Sequence, residues 1–245
     1  MKNLVIQYYI DINKYSNPTF NNLGPSPIEK YSSYSFKKYC DKYNIDYIKI
    51  TEPKLGFKHP TWERFDLWCD RSWWDKYDQI CYVDSDVISL PWAGNIFKEF
   101  KNPDAFKVCY YRKFTGNTAD GSKKRCSNNP LMDPIPGEVL KEKCWQTGLF
   151  ILSKESAEKM RNLVLKYKEQ PDAIDDGMFI NWVTIASNVN LEKISETYNT
   201  KNNGETINLK GLNFLHCAGG KKHKEGARVF EILKNLYPEV KMDWR

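Results

Sequence analysis

The first 90 residues alternate between short apolar segments and longer segments whose apolar residues recur at helical spacing. Residues 3–10, 45–50 and 80–83 predict strands, and the segments between them, 26–43 and 61–77, predict helices. Strands that alternate with helices are typical of a parallel sheet covered by helices. We therefore expect an α/β fold, with a Rossmann-like, mostly parallel central sheet flanked by helices in a single domain.

Both predicted helices begin at residues that favour a helix N-terminus. Ser26, Pro27 and Glu29 form a capping box, with the serine as N-cap, the proline at N1 and the glutamate at N3. Thr61 takes the N-cap position of the second helix. These residues predict where each helix starts.

Beyond residue 90 the same two patterns continue on either side of one long polar segment. Residues 112–137 are rich in Gly, Pro, Asn, Ser and Lys. A loop of this length in a compact domain is either functional or disordered. The remaining predictions are a short helix at 95–100, strands at 105–111, 144–153 and 211–220, and helices at 154–168, 173–186 and 224–236.

Cysteine usage and hydropathy bear on the cellular location. The seven cysteines are odd in number and include no Cys-x-x-Cys pair, so they predict neither a zinc ribbon nor a disulfide framework. A reducing compartment is favoured. No run reaches the roughly 18 apolar residues of a membrane span, and residues 1–10 resemble a first strand more than a signal peptide. We expect a cytoplasmic protein without a transmembrane segment, and a peripheral position at a membrane surface stays open.

The charge pattern favours a small anionic ligand. The net charge is +6, and the lysines are scattered among acidic residues. A modest positive field suits a nucleotide. The chain carries no nucleic-acid-binding motif, so a nucleic-acid partner is not expected. The sequence does not indicate an oligomeric state.

Two acids, Asp84 and Asp86, directly follow the third predicted strand. In an extended backbone their side chains would point to the same side. Two carboxylates held together repel each other and are costly to desolvate, and a shared cation removes both costs. The alternative is a surface turn with two solvated acids.

His216 ends the run "LNFLH" in the last predicted strand and is followed by Gly219, Gly220, Lys221 and Lys222. In open α/β sheets, ligands bind beyond the carboxyl ends of the strands, where this histidine and the acid pair both fall. Glycines allow close backbone approach and lysines neutralise phosphate, so the segment resembles a diphosphate cradle. Two carboxylates and one imidazole suit Mn²⁺ or Mg²⁺. The alternatives are a structural histidine and a solvated lysine face.

Three segments, "YVDSDVI", "WQTGLFILS" and "HCAGGKK", occur in the order found in GT-A fold glycosyltransferases. The pattern is most similar to glycosyltransferase family 8, which includes glycogenin and bacterial lipopolysaccharide galactosyltransferases. That family has Asp-x-Asp, then Asn-x-Gly, then His-x-x-Gly-x-x-Lys. Here Gln146 replaces the asparagine, and His223 and Lys224 stand where Pro-Trp often follows. These departures leave the family and its stereochemistry open.

The resemblance implies a metal-dependent transfer of a sugar from a nucleotide-sugar donor, with UDP favoured, to a glycan or other hydroxyl acceptor. Residues 1–110 would be the nucleotide-sugar-binding half of one domain, 1–245, and residues 138–245 the acceptor-side half. The loop 112–137 would be an acceptor site or lid. Family 8 implies retention of configuration, while an inverting enzyme would need a carboxylate base such as Asp175 or Asp176.

The resemblance also implies roles for individual residues. Asp84, Asp86 and His216 would hold the metal, which bridges to the diphosphate. Gly219, Gly220 and Lys222 would contact that diphosphate. Gln146 would lie near the reacting face of the sugar, and Asp175 or Asp176 would contact the sugar or the acceptor. The other implied donor contacts are Tyr8, Tyr9, Asp11, Arg64 and Ser85.

Other classes of protein share part of this pattern. An Asp-x-Asp after a strand also occurs in phosphatases of the haloacid dehalogenase superfamily, where Asp175 and Asp176 would be the later Mg²⁺-binding acids. A sugar-nucleotide pyrophosphorylase would need a Gly-rich loop after the first strand, which the chain lacks. A non-catalytic nucleotide- or glycan-binding module is the third alternative.

Overall fold

The computed structural model describes residues 1–10, 27–56, 60–100, 102–110, 145–167, 176–201, 208–217 and 223–241. Its centre is a six-stranded sheet in the order β2-β1-β3-β6-β5-β7. The sheet is parallel at β1/β2, β1/β3 and β5/β7, whereas β6 runs antiparallel to both β3 and β5. The strands are β1 (Asn3–Tyr8), β2 (Asp46–Ile50), β3 (Gln79–Val83), β5 (Phe106–Tyr110), β6 (Trp145–Ser153) and β7 (Leu191–Lys193).

A second, three-stranded sheet contains the last described strand of the chain. It consists of β4 (Val87–Ser89), β8 (Thr200–Lys201) and β9 (Phe214–His216) in the order β4-β9-β8. The sequence did not indicate this sheet, or β7 and β8, because strands of two or three residues show no clear alternation. The turn at residues 84–86 leads directly from the large sheet into the small one.

Helices cover both faces of the large sheet. They are α1 (Pro27–Tyr43), α2 (Asp66–Cys69), α3 (Ser72–Lys76), α4 (Lys154–Tyr167), α5 (Asp176–Ala186) and α6 (His223–Leu236). In the described ranges, short 3₁₀ segments at Pro60–Phe65, Ile96–Lys98 and Glu196–Tyr198 lie between these helices. Within the described residues, no helix combines the length and apolar character that a bilayer span requires.

Residues 61–77 do not form the single helix that their spacing predicts. The segment divides into the 3₁₀ turn, α2 and α3, and Thr61 lies inside the first of these instead of capping a helix. The break is at Asp70, whose backbone is extended (φ −95°, ψ 107°) and whose carboxylate accepts a hydrogen bond from the Ser72 amide. An aspartate that bonds the backbone two residues ahead competes with helix formation.

The alternation of side chains along the strands produces two separate cores. Leu4 and Ile6 of β1 face a cluster with the tryptophans of the 60–74 region, while Val5 faces α1 from the opposite side. A strand buried on both faces is continuously apolar, as β3 is. A third cluster packs α1 and α6 against β4 and β9 through residues such as Tyr31, Ile88 and Leu233.

Helix α1 supplies buried hydroxyl groups that form hydrogen bonds with the backbone along the free edge of β4. Ser32 donates to the Val87 carbonyl, and the Ser89 amide donates to the Ser35 hydroxyl at 3.1 Å. Tyr237, just past α6, donates to the Ser89 carbonyl. These bonds replace a neighbouring strand, because an edge strand leaves backbone groups that must be paired when buried.

Candidate metal and donor site

Asp84 and Asp86 lie in a tight turn between β3 and β4. The Val87 amide donates to the Asp84 carbonyl at 3.1 Å, which closes the turn. The argument from strand alternation is therefore wrong in its geometry, since the chain turns at residues 85 and 86 and does not continue as an extended strand. The two carboxylates nevertheless converge, because the turn folds Asp86 back toward the end of β9.

Register between the strands of the small sheet brings His216 to the acid pair. His216 pairs with Val87, the residue after Asp86, and the Cys217 amide donates to the Asp86 carbonyl at 2.9 Å. His216 Nε2 lies 3.3 Å from Asp86 Oδ1 and 4.0 Å from Asp84 Oδ2. One ligand atom from each of the three residues lies within 4.8 Å of the other two. The structure thus brings together the three residues that the sequence proposed as metal ligands.

The chemistry of this cluster fits a divalent cation. Asp86 Oδ1 is buried and makes no hydrogen bond to any residue that the structure describes. The His216 side chain is 6% exposed, whereas the side chains of Asp84 and Asp86 are 33% and 34% exposed, so the cluster opens to solvent on its oxygen side. Two carboxylate oxygens and one imidazole nitrogen suit Mn²⁺ or Mg²⁺, with ligand oxygens completing the shell.

Electrostatics at Asp84 also favour a bound cation. Burial raises the pKa of the Asp84 carboxyl above its ordinary value, and the Asp86 carboxylate raises it further. Arg64, His216 and the Tyr82 hydroxyl act in the opposite direction without cancelling the increase in pKa. A divalent cation would favour the ionised form of both acids.

A break in the sheet register places Gly148 against the metal cluster. Between Val108 and Cys109 of β5, the partner on β6 jumps from Phe150 to Gln146, so residues 147–149 bulge out of that pairing. The Gly148 carbonyl accepts from the Asp84 amide at 2.8 Å. A Cβ atom at this glycine would lie 2.5 Å from His216 Cε1 and 2.8 Å from Asp84 Oδ2. Only glycine fits here without displacing the proposed ligands.

Arg64 is 3% exposed and connects the bulge to both acidic parts of the site. Its guanidinium donates to the Thr147 carbonyl at 2.9 Å and to Asp176 Oδ2 at 2.5 Å, and it lies 3.8 Å from Asp84 Oδ1. Burial lowers the pKa of Arg64, but Asp176, Tyr82 and Asp84 outweigh burial and raise it above its ordinary value. A permanent positive charge therefore lies between the two carboxylates.

Asp176 and Gln146, two of the residues proposed to act on the sugar, flank this arginine and the bulge. Asp176 is the first residue of α5, and its carboxylate faces Arg64. Gln146 lies two residues before Gly148 on β6, and within the described part of the chain its buried Oε1 makes no hydrogen bond. Asn181 of α5 exchanges hydrogen bonds with the Trp145 backbone at 3.0 and 3.2 Å, which fixes α5 to the start of β6.

The two tyrosines at the end of β1 have different surroundings. Tyr8 packs against the first core cluster, with its hydroxyl 3.4 Å from Asp66 Oδ2, and burial raises its pKa well above the ordinary value. Tyr9 follows the strand, and Lys49 Nζ lies 5.1 Å from its ring centroid. Of the two, Tyr8 is the one that faces the core.

Some of the residues proposed from the sequence lie outside the described part of the chain, and the structure adds one residue that was not proposed. The proposed site residues Asp11, Asp175, Gly219, Gly220 and Lys222 lie outside the described residues, as do Ser26 and the loop 112–137. Ser85 lies in the turn between the two acids. Asn199, which contacts His216, had no local sequence signal, whereas Gly148 was already visible as the glycine of the family's Asn-x-Gly motif.

Comparisons with known proteins identify the fold class. No protein-family model matches the chain, and no curated protein matches it. A glycosyltransferase involved in the glycosylation of the major capsid of PBCV-1 is 11% identical, with a TM-score of 0.57 over 94% of this chain and 100% of that one. The galactosyltransferase LgtC, solved with donor and acceptor sugar analogs, is 12% identical, with a TM-score of 0.53 over 98% and 96%.

A third structure, the bifunctional glycosyltransferase WbbM, is 13% identical with a TM-score of 0.54, and the match covers 96% of this chain and 50% of that one. At this level of identity the likeness shows a common fold. The chain has the GT-A fold of these glycosyltransferases, which confirms the fold predicted from the sequence.

Proposed function

We propose that this protein is a metal-dependent glycosyltransferase that transfers a sugar from a nucleotide-sugar donor, with UDP as the favoured nucleotide, to a hydroxyl of a glycan or similar acceptor. The observation that carries the proposal is the convergence of Asp84, Asp86 and His216 at the carboxyl end of β3. In open α/β sheets this end is where ligands bind. The glycosyltransferase structures of the same fold support the reaction class.

The central chemical problem of this reaction is the departure of a diphosphate. Asp84, Asp86 and His216 would hold Mn²⁺ or Mg²⁺, which when bound supplies positive charge to the leaving group. Lys222, Gly219 and Gly220 are proposed to contact the same diphosphate.

Arg64 has a supporting role in this proposal. Because it is buried against Thr147 and between two carboxylates, its charge is fixed in place before substrate binds. Preorganised charge of this kind costs no reorganisation during the reaction. It would hold Asp84 and Asp176 in the orientations that the metal and the sugar require.

The sugar itself is proposed to lie beside Gln146 and Asp176. The Oε1 atom of Gln146 is an acceptor without a partner among the described residues, so a donor group of the ligand would satisfy it. Retention of configuration is proposed from the resemblance to family 8. Asp175 or Asp176 would instead serve as a base in an inverting reaction, and analysis of the product anomer distinguishes the two.

Other donor contacts and the domain division remain proposals as well. We propose that Tyr9, Ser85 and Asp11 contact the nucleotide. Tyr9 is the better stacking candidate because Tyr8 faces the core. Residues 1–110 are proposed as the donor half and 138–245 as the acceptor half. The described cysteines are free and most are buried, in keeping with a reducing compartment such as the cytoplasm.

Thermal stability in the presence of nucleotides tests the proposal directly. We would measure Tm with UDP, GDP, CDP and ADP, each with and without Mn²⁺. A ligand at 100 times its Kd stabilises by about 2.7 kcal/mol, which is roughly 5–10 °C for a domain of this size. We expect a shift that requires both UDP and the metal, and that Asp86→Ala abolishes.

Asp75→Ala is the matched control, because Asp75 is an exposed carboxylate of α3, just before the opposite end of β3. This variant should keep the full shift. Hydrolysis of the matching nucleotide-sugar, lost in Asp86→Ala, would then exclude a non-catalytic module. No shift with any nucleotide would contradict the proposal, and hydrolysis of a phosphate ester with Mg²⁺ would then test the phosphatase alternative.

A further inference from the structure

Asn199 is a buried amide in direct contact with the proposed histidine ligand. Its side-chain Oδ1 lies 2.8 Å from His216 Nδ1, and the residue is only 2% exposed. It follows the 3₁₀ turn Glu196–Tyr198 and precedes β8, which runs parallel to β9. The Asn199 amide N–H donates to the Glu196 carbonyl at 3.1 Å, so the backbone that carries the side chain is itself fixed.

The contact decides which nitrogen of His216 is free. A neutral imidazole carries one proton, and a carbonyl oxygen at Nδ1 favours the proton on that atom. The lone pair is then on Nε2, the atom that faces Asp86 at 3.3 Å and Asp84 at 4.0 Å. If Asn199 did not act on Nδ1, Asp86 would favour the opposite tautomer, whose Nε2–H cannot bind a metal.

We propose that Asn199 is a positioning residue that holds His216 in the Nδ1–H tautomer, with the Nε2 lone pair directed at the metal. This inference rests on the metal site of the proposed function. Histidine ligands commonly donate their second N–H to a carbonyl or carboxylate, and loss of such a partner typically costs 10–100-fold in metal affinity. The Asn199 side chain also faces the Cys109 thiol, where it acts as a hydrogen-bond donor that lowers the pKa of the thiol against the effect of burial. A donor to Cys109 must be the Nδ2 group, which leaves the acceptor oxygen for His216.

Two substitutions separate this role from simple packing. Asn199→Asp keeps the acceptor in the same shape and replaces the Nδ2 group by a second carboxyl oxygen, whereas Asn199→Leu keeps a similar volume and removes the acceptor. We would titrate each protein with Mn²⁺ alone and measure free Mn²⁺ by electron paramagnetic resonance. We expect Asn199→Leu to bind 10–100-fold more weakly than the unsubstituted protein. Asn199→Asp should bind as tightly or more tightly. Equal affinity in Asn199→Leu, or an equal loss in both variants, would overturn the inference.

A second measurement needs no metal. Long-range ¹H–¹⁵N spectra report the tautomer of each histidine, at a pH high enough for the imidazole to be neutral. The chain has three histidines, at positions 59, 216 and 223, and His216→Gln identifies the signal. We expect the proton on Nδ1 in the unsubstituted protein and its transfer to Nε2 in Asn199→Leu. A proton on Nε2 in the unsubstituted protein, or no change in the variant, would contradict the proposed role.

The two measurements together distinguish a failure of the proposed metal site from a failure of the proposed role of Asn199. If the unsubstituted protein binds no Mn²⁺, the metal of the proposed function is wrong, while the tautomer still decides whether Asn199 orients His216. If it binds Mn²⁺ and both Asn199 variants bind equally well, the proposed function stands and the role of Asn199 is wrong.

Discussion

Gly148 is the residue at which the backbone comes closest to the proposed metal ligands. We predict that Gly148→Ala abolishes Mn²⁺ binding, because the added methyl group would lie 2.5 Å from His216 Cε1. The glycine does not need a left-handed backbone, so the effect comes from contact and not from strain. Titration with Mn²⁺ tests this, and circular dichroism of the metal-free variant should show an intact fold. Unchanged metal affinity would mean that His216 can move without loss.

Lys107 is a second residue whose environment predicts a measurable effect, although it lies outside the candidate site. It is fully buried on β5, where its ammonium donates to the carbonyls of Pro103 and Ala105 at 3.2 and 3.1 Å. Burial lowers the pKa of Lys107 to about 8, although Glu192 and Asp104 act in the opposite direction. The ordinary value is 10.5, so between these pH values the unfolded chain binds more protons than the folded one.

The contribution of Lys107 to the free energy of unfolding must therefore rise with pH between about 8 and 10.5. The increase is up to roughly 3 kcal/mol, since one pKa unit is worth about 1.4 kcal/mol. We predict that the free energy of unfolding increases more over this range in the unsubstituted protein than in Lys107→Met. Urea unfolding at several pH values measures the difference. Lys159→Met, at an exposed position on α4, should follow the unsubstituted protein. Parallel curves for Lys107→Met would show that Lys107 stays protonated in the folded state.

At the scale of the elements, α1 takes the place of a strand beside β4. We predict that Ser32→Ala and Ser35→Ala each lower the free energy of unfolding by about 1–3 kcal/mol, because each leaves a buried backbone group of β4 unpaired. Chemical denaturation measures the change. Ser187→Ala is the control, since its buried hydroxyl makes no hydrogen bond with the described residues and its loss should be nearly neutral. Equal effects at all three positions would contradict this account of the β4 edge.

At the scale of the whole molecule, the candidate metal site joins two sheets. Asp84 follows a strand of the six-stranded sheet, whereas Asp86 precedes β4 and His216 ends β9 of the small sheet. A cation bound by all three would therefore link the sheets at one point. Because binding to the folded state alone stabilises it, opening of this junction would become rarer.

Hydrogen exchange can localise this effect. We predict that Mn²⁺ slows exchange in peptides that span residues 83–90 and 212–217, and leaves the peptide around β7 unchanged. The relevant amides include Asp84, bonded to Gly148, and Cys217, bonded to Asp86. The difference should vanish in Asp86→Ala. Protection spread evenly over the chain would indicate binding elsewhere.

Local patterns account for the parts of the fold that the sequence predicted correctly. The apolar runs of β1 and β3, the alternation in β2 and the helical spacing of α1, α4 and α5 depend on residues a few positions apart. The prediction of one helix at 61–77 was wrong because Asp70 ends α2. Its carboxylate accepts a hydrogen bond from the Ser72 amide, which the spacing of apolar residues does not reveal.

By itself the sequence determined the α/β class, most of the longer elements and the three residues proposed to bind metal, since each of these follows from short-range periodicity or from its place at the end of a strand. Only the tertiary structure decided that β9 joins a second sheet, that Gly148 must lack a side chain, and that Asn199 contacts His216. These features depend on pairs of residues far apart in the chain. Their contacts are set by strand register and packing, which no local pattern encodes.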